Sequence, residues 1–170
     1  MAELLAQEKL QPALLDRLLD DEPDKKQEAR ERRVITRARL REAVLRDLTW
    51  LLNSTRMGGP ESLAGYDEVQ RSVVNYGLPP LSGETAATVD LWSMERSIRQ
   101  AILDFEPRIL PASLQVEALT TESLLDHHNI ISIQIRGSLW AQPLPLELLL
   151  RTDLDLETGA VQVRDLGKPT

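Results

Sequence analysis

Residues 98–118 read Ile98-Arg-Gln-Ala-Ile-Leu-Asp-Phe-Glu-Pro-Arg-Ile-Leu-Pro-Ala-Ser-Leu-Gln-Val-Glu-Ala118. The first half continues a helical pattern, because apolar residues recur every three or four positions from Leu91 to Phe105. Pro107 ends that helix, since the residue before a proline is disfavoured in the helical region. Beyond it, Leu114, Val116 and Ala118 alternate with polar residues, which indicates a strand. The chain therefore changes from helix to strand at this point.

Downstream of the change, the alternation of apolar and polar residues continues. Ile131, Ile133 and Ile135 alternate with polar residues, and residues 146–156 repeat the pattern with leucines. A period of two predicts strands with one buried face. We expect the strand around residues 131–135 and the strand at residues 146–156 to be joined at Gly137-Ser138 or through the region up to Pro145. Val161 and Val163 can form a short return strand after them.

Upstream, the sequence predicts helices. Residues 34–53 carry leucines and valines at helical spacing, Tyr66 to Asn75 predicts a short second helix, and residues 86–106 predict a third. In the second helix we expect Tyr66, Val69, Val73 and Val74 to face inward. Thr88 or Asp90 can cap the third.

About three helices followed by three or more strands with short links is an α+β order with an antiparallel sheet. A single small sheet leaves open edges, which can accept a further strand. We divide the chain into an N-terminal amphipathic segment with a charged linker (1–30), one α+β domain (31–160) and a C-terminal tail (161–170).

The N-terminal segment runs from Pro12 to Pro23 and holds one apolar stripe. A helix this short is marginal alone in water, so it needs a surface to dock on, in this chain or in a partner. The docking residues we predict are Leu14, Leu15, Leu18 and Leu19.

Composition narrows the class of protein. The 170 residues contain no cysteine, which excludes disulfides and thiolate chemistry. The N-terminus does not have the pattern of a signal peptide, and no apolar run is long enough to cross a bilayer. The net charge of −7 argues against general nucleic-acid binding. One basic cluster stands out, and we interpret it as a solvated or partner-facing helix surface: Arg30, Arg32, Arg33, Arg37, Arg39 and Arg41.

Candidates for chemistry are few. His127 and His128 are the only histidines, and adjacent positions suit a shared metal poorly. Their scarcity also weakens any Ser-His-Asp triad. No pair of carboxylates is singled out for glycoside hydrolysis. We therefore expect no catalytic residues, no metal, no cofactor and no small-molecule substrate.

Two turns suit structural or partner-binding roles. In Glu106-Pro107-Arg108, the guanidinium can fork onto carboxylates or carbonyls where helix meets strand. The run Asn75-Tyr-Gly-Leu78 suits a fixed turn anchored by Tyr76 and Leu78, either as a chain reversal or as an interface loop.

Three segments together resemble a known family. They are Leu45-Arg-Asp-Leu-Thr-Trp-Leu-Leu-Asn-Ser-Thr-Arg56, Val69 to Gly83, and Ile98 to Leu110 with its Glu-Pro-Arg signature. The chain resembles the phage baseplate-wedge family that includes TssE of type VI secretion, and the early Pro12–Pro23 segment is TssE-like too. The resemblance adds Arg46, Asp47 and Arg56 to the residues that we predict to have a partner-binding or structural role. The others are Asn75, Tyr76, Gly77, Leu78, Glu106, Pro107 and Arg108.

This resemblance implies a structural protein of the cytoplasmic baseplate, held at the inner membrane through that baseplate, and not an enzyme. Its partners would be TssF- and TssG-like subunits and the sheath subunits, and it would help start sheath assembly by strand addition. Three alternatives stay open: a baseplate protein of a phage or other contractile tail, a free-standing adaptor with no sheath role, and a peptidoglycan hydrolase, since family members have been labelled lysozyme-like.

Overall fold

The computed structural model describes residues 13–18, 36–58, 62–80, 89–119, 129–141 and 144–167. Helices come first and strands follow, which confirms the predicted α+β class. The helices are α1 (Leu14–Leu18), α2 (Arg37–Leu52), α3 (Asp67–Gln70) and α4 (Leu91–Phe105). Short 3-10 turns occupy Val73–Asn75 and Pro111–Ser113. The strands are β1 (Gln115–Ala118), β2 (Ile130–Leu139), β3 (Leu146–Asp155) and β4 (Val161–Asp165).

The four strands form one antiparallel sheet in the order β1-β2-β3-β4. Its long central pair aligns Ile130 with Asp155 and Leu139 with Leu146. The predicted alternation holds, because Ile131, Ile133 and Ile135 are all buried while the residues between them are not. One face of the sheet therefore lines the core and the other carries polar side chains.

The helices α2 and α4 supply the other half of the core. Their buried residues share one apolar cluster with the strands, in which Val44, Leu48 and Ile102 have no exposed surface. Side chains cap the start of both helices: Thr36 Oγ1 accepts from Arg39 N, and Asp90 accepts from Trp92 N. Helix α4 begins at Leu91, five residues later than the predicted start at 86.

The prediction for the second helix was wrong in its inward face. Tyr66, Val73 and Val74 are exposed, at 66%, 82% and 59%. The physical reason is that α3 is a single turn, Asp67–Gln70, followed by a 3-10 turn. A helical repeat therefore never extends over these residues.

The strand connections settle two further predictions. Gly137 and Ser138 lie inside β2, so the β2–β3 connection is the longer predicted alternative, residues 140–145. Val161 and Val163 do form a return strand. Residues 161–165, which our division assigns to a tail, pair with β3, and Val161 is part of the buried core.

Three sequence candidates lie outside the described residues: Leu19, the pair His127 and His128, and the basic cluster up to Arg33. Within the described part of the cluster, Arg37 and Arg39 are exposed. Arg41 instead forms an ion pair with Asp165 of β4. In the described ranges, no helix is both long and apolar enough to traverse a bilayer.

Candidate functional site: an ion cluster and groove at the helix-to-strand turn

The Glu-Pro-Arg turn is the centre of a charge cluster. Glu106 ends α4 as its C-cap residue, and its carboxylate is only 3% exposed. The Arg108 guanidinium binds this carboxylate in a bidentate manner, with Nε 2.7 Å from Oε1 and Nη2 2.5 Å from Oε2. The Arg108 main-chain N–H also donates to Oε1, at 3.1 Å. The buried carboxylate thus accepts three hydrogen bonds from Arg108, which compensate for its removal from water.

The cluster extends from the turn into α2 and α1. Arg108 Nη2 also lies 2.5 Å from Asp47 Oδ2, and Arg46 Nε donates to the other oxygen of Asp47 at 2.9 Å. Arg46 Nη1 then pairs with Asp16 of α1 at 2.8 Å. We call this alternating series the Glu106 cluster: Asp16, Arg46, Asp47, Arg108 and Glu106.

The electrostatics of the cluster favour fixed charges. Burial alone lowers the pKa of the Arg108 guanidinium, but hydrogen bonds and charges from Glu106 and Asp47 outweigh it and raise that pKa above its ordinary value. The pKa of Tyr76 is raised by burial and by the nearby Asp47 and Glu106 charges. Since Arg108 stays a cation and Glu106 is bound by it, the pair suits a structural contact better than proton transfer.

A groove of about 480 Å³ opens beside the cluster. Its apolar walls include Tyr76 and Phe105, whose rings meet edge-on with centroids 5.1 Å apart. Trp50 forms its outer wall, 49% exposed, with the Arg46 guanidinium 5.1 Å from its ring centroid. Leu15 of α1 and Ala13, which directly precedes α1, also line it. An apolar groove with a charged floor and an exposed aromatic wall has the composition of a protein-binding surface.

The predicted N-terminal docking segment contacts this groove from within the chain. Leu15 lines the groove and Asp16 joins the cluster. Leu14 and Leu18 point away and are both 72% exposed. One face of α1 therefore docks on its own domain, while the opposite face keeps two leucines uncovered.

The second predicted turn is mainly internal, and its Tyr76 is the member that lines the groove. Asn75 is buried, and its Oδ1 accepts from Gly58 N at 3.1 Å. Leu78 is buried too, and its main chain forms a parallel bridge with Thr55 of the α2 exit. This geometry favours the chain-reversal alternative, since Asn75 and Leu78 bind their own domain.

Gly77 explains why that reversal needs a glycine. Its φ is +118°, and a Cβ there would lie 2.2 Å from the Ser54 carbonyl oxygen. Any larger residue would collide with the main chain as well as strain its own. Arg56 belongs to this second turn through its main-chain bond to the Leu78 carbonyl, at 2.8 Å. Burial lowers the pKa of the Arg56 guanidinium, which lies outside the Glu106 cluster.

Sequence reasoning missed several residues that the structure makes important. Trp50 and Phe105 line the groove, and Asn53 and Glu95 bind main-chain groups of the edge strands β4 and β1. The available signal was position alone: Asn53 follows directly on α2, where a side chain can reach main-chain groups. The described residues contain no group of three or more histidines or carboxylates arranged to hold a metal ion.

The fold and the site together define a small α+β domain with a groove beside a cluster of buried and half-buried charges. The family model described as baseplate wedge protein gp25 matches residues 38–144. Since that match covers more than half of the chain, the protein belongs to the baseplate wedge family, which confirms the predicted resemblance. Searches of the curated proteins and of the solved structures returned no match.

Membership in this family has direct consequences. The chain has a structural role in the baseplate of a contractile tail or injection machine, in contact with other baseplate components. The family is generally non-enzymatic. The matched residues include α2 from residue 38 onward, the Gly77 turn, α4 and the whole Glu-Pro-Arg turn.

Proposed function

We propose that this protein is the TssE-like subunit of a type VI secretion baseplate wedge. In that role it binds TssF- and TssG-like subunits at the cytoplasmic face of the inner membrane and helps nucleate the contractile sheath by strand addition. The observation that carries the proposal is the family match over residues 38–144, which includes every member of the Glu106 cluster except Asp16. The TssE-like segment from Pro12 to Pro23 favours secretion over a phage tail.

The groove beside the Glu106 cluster supports a wedge contact. Its floor is rigid, because Arg108 joins the end of α4 to Asp47 in the middle of α2. Its outer wall, Trp50, is half exposed. Tryptophan and arginine are the residue types most enriched among those that carry binding energy at protein interfaces. A rigid floor also reduces the ordering cost of binding.

The sheet supports the strand-addition part of the proposal. Within the described ranges, its outer strands β1 and β4 each have only one strand neighbour. The outer main-chain groups of such strands can pair with an extended segment of another chain. The alternation of core-facing and polar residues would then fix the register of the added strand.

Co-expression tests the wedge contact. The tagged chain is expressed with TssF- and TssG-like subunits, and the co-eluting proteins are quantified. We compare Trp50→Ser with the matched control Trp92→Ser. Both tryptophans are exposed and both stack with an arginine, but only Trp50 lines the groove. We expect a stoichiometric complex that Trp50→Ser weakens at least tenfold and Trp92→Ser leaves intact.

A harsher variant tests the charge cluster itself. Arg108→Glu places a second carboxylate beside Glu106, so it should abolish co-elution. Its unfolding transition must be measured alongside, because the substitution also removes a buried ion pair. Co-elution at the wild-type level with both Arg108→Glu and Trp50→Ser would refute the groove as the wedge contact.

Two alternatives are separable by experiment. If the chain assembles only with tail proteins of a phage, the secretion assignment fails while the baseplate role stands. A peptidoglycan hydrolase would clear a zymogram. We expect no clearing, because the Glu106 carboxylate is occupied by three hydrogen bonds from Arg108.

A further inference from the structure

The two edges of the sheet differ in how their outward main-chain groups are occupied. In an antiparallel pair, alternate residues direct both N–H and C=O away from the partner strand. On β4, Ala160 and Leu166 bond to β3, at Asp155 N and Leu149 O. By alternation, the outward residues of β4 are Val161, Val163 and Asp165.

At Val161, the position of a neighbouring strand is already taken by a side chain. Asn53 Oδ1 accepts from Val161 N at 2.9 Å, and Asn53 Nδ2 donates to Val161 O at 2.8 Å. A carboxamide has the same donor and acceptor as a peptide group, so Asn53 imitates one residue of an added strand. Asn53 is neutral and directly follows α2.

At its other end, β4 is held by Arg41 of α2. The guanidinium forms an ion pair with the Asp165 carboxylate, and its Nη1 donates to the Glu147 carbonyl of β3 at 2.8 Å. The carbonyl of Glu147 lies beyond the end of β4, so Arg41 caps the part of the β3 edge that β4 leaves uncovered. Between these two fixed ends, no contact in the described part of the chain caps the outward main-chain groups of Val163 or Asp165.

The β1 edge is closed in a different way. Leu119 N bonds to Ser132 O of β2. By alternation, Val116 and Ala118 direct their main-chain N–H and C=O groups away from β2. Glu95 of α4 reaches across and its Oε1 accepts from Ala118 N at 2.6 Å. A carboxylate accepts a charge-assisted hydrogen bond, about twice as strong as a neutral one. It also repels the carbonyl oxygen that an incoming strand would bring to the same place.

We propose that strand addition occurs at β4, where Asn53 sets the register of the incoming strand, and that Glu95 closes β1 against it. This proposal rests on the proposed function, and its partner is an extended segment of a sheath subunit. The segment would pair with the main chain of Val163 and Asp165, directly following the place that Asn53 occupies.

The chemistry of the incoming segment follows from the faces of β4. Val163 is partly buried and packs against the core, so the residue of the incoming segment that pairs with it should be apolar and bury the rest of its side chain. Gln162 and Arg164 are exposed on the other face, so the residues on that side should be polar. An alternating segment without proline at the paired positions therefore fits the edge.

Cross-linking tests the choice of edge. The chain has no cysteine, so Gln162→Cys on β4 and Glu117→Cys on β1 each create one reactive site at an exposed position. Each variant is assembled into baseplates with sheath subunits, treated with a photoactivatable thiol reagent, and mapped by mass spectrometry. We expect cross-links to one extended sheath segment from position 162 and none from position 117.

The other outcomes are distinct from one another. Cross-links from position 117 alone would overturn the choice of β4. No sheath cross-link from either position, in baseplates that contain the chain, would overturn the inference and leave only the wedge contact of the proposed function. Failure of the chain to enter baseplates would refute the proposed function itself.

Two proline variants give an independent test. Val163→Pro removes one outward N–H of β4 without removing a bond to β3, and Val116→Pro does the same on β1. With folding confirmed by unfolding curves, we expect Val163→Pro to reduce sheath recruitment about tenfold, the effect of about 1.4 kcal/mol, and Val116→Pro to have no effect. Equal effects of the two variants, or a loss with Val116→Pro alone, would overturn the proposal.

Discussion

Replacing Arg108 by methionine should expose how the buried carboxylate of Glu106 is tolerated. The change removes both side-chain hydrogen bonds to a group that is only 3% exposed. Removing one partner of a buried ion pair costs about 3–5 kcal/mol. Arg108 lines an open groove and its main-chain N–H keeps one bond to Glu106, so we expect the lower figure, about 3 kcal/mol.

Urea unfolding gives the measurement. For a chain of this size the slope is about 2 kcal/mol per molar, so the midpoint should fall by about 1.5 M. Arg136→Met is the matched control, because Arg136 is exposed and, among the described residues, its side chain bonds only to the Gln134 amide. That variant should stay within about 0.5 kcal/mol of the wild type.

A second substitution decides whether the cost comes from the unpaired charge. In the wild type, Glu106→Gln should destabilise by at least about 1 kcal/mol, because the amide has one acceptor oxygen and its NH2 group cannot accept the second hydrogen bond from Arg108. In the Arg108→Met background the same substitution should stabilise, since it removes a buried charge that has lost its partner. Destabilisation by Glu106→Gln in both backgrounds would refute the reasoning.

Three further predictions concern the rest of the domain. Arg41 lowers the pKa of the Asp165 carboxyl below 3.8. The ion pair therefore stabilises the fold above that pH, and its contribution is lost as the pH falls through the lowered pKa. Asp165→Asn should flatten the acidic side of a plot of melting temperature against pH, and an unchanged acidic side would contradict this. Gly77→Ala should cost more than about 2 kcal/mol, whereas Gly65→Ala, also at positive φ but with open space around it, should cost about 1 kcal/mol; equal losses in urea midpoint would exclude the predicted collision. Leu150→Ala, with no exposed surface, should cost about 3 kcal/mol in the same assay, and a loss below 1 kcal/mol would contradict its place in the core.

The sheet could be predicted from sequence because its signal is local. Alternation along residues 131–135 and 146–156 identifies both the strands and their buried face, and the structure agrees at each isoleucine and at Leu148, Leu150 and Leu154. The exact turn could not be predicted in the same way. Gly137-Ser138 has turn composition, yet it lies within β2, because Gly137 pairs with Leu148 opposite. Pairing across the sheet outweighed the local preference.

The site could be predicted only in part, for a similar reason. The fork of Arg108 on Glu106 is a contact over two residues, so the motif itself indicates it. The second carboxylate, Asp47, lies 61 positions away from Arg108 and is brought in by the packing of α2 against α4. No local pattern contains that information. The exposed Val73 and Val74 show the converse error, in which apolar residues were assigned to a core that the chain never brings to them.

If the sheet accepts a strand as we propose, its partly capped edges explain how such a sheet can exist in a free subunit. An open edge pairs indiscriminately, and proteins protect such edges with charges or with covering groups. Here the protection comes from the helices that also build the core: Glu95 from α4, and Asn53 and Arg41 from the two ends of α2. Because α2 also carries Asp47 and Trp50, the groove and the β4 edge are fixed to one rigid element. A wedge partner seated in the groove would therefore hold β4 in a defined orientation toward the sheath, so the two contacts would be geometrically linked without a conformational change.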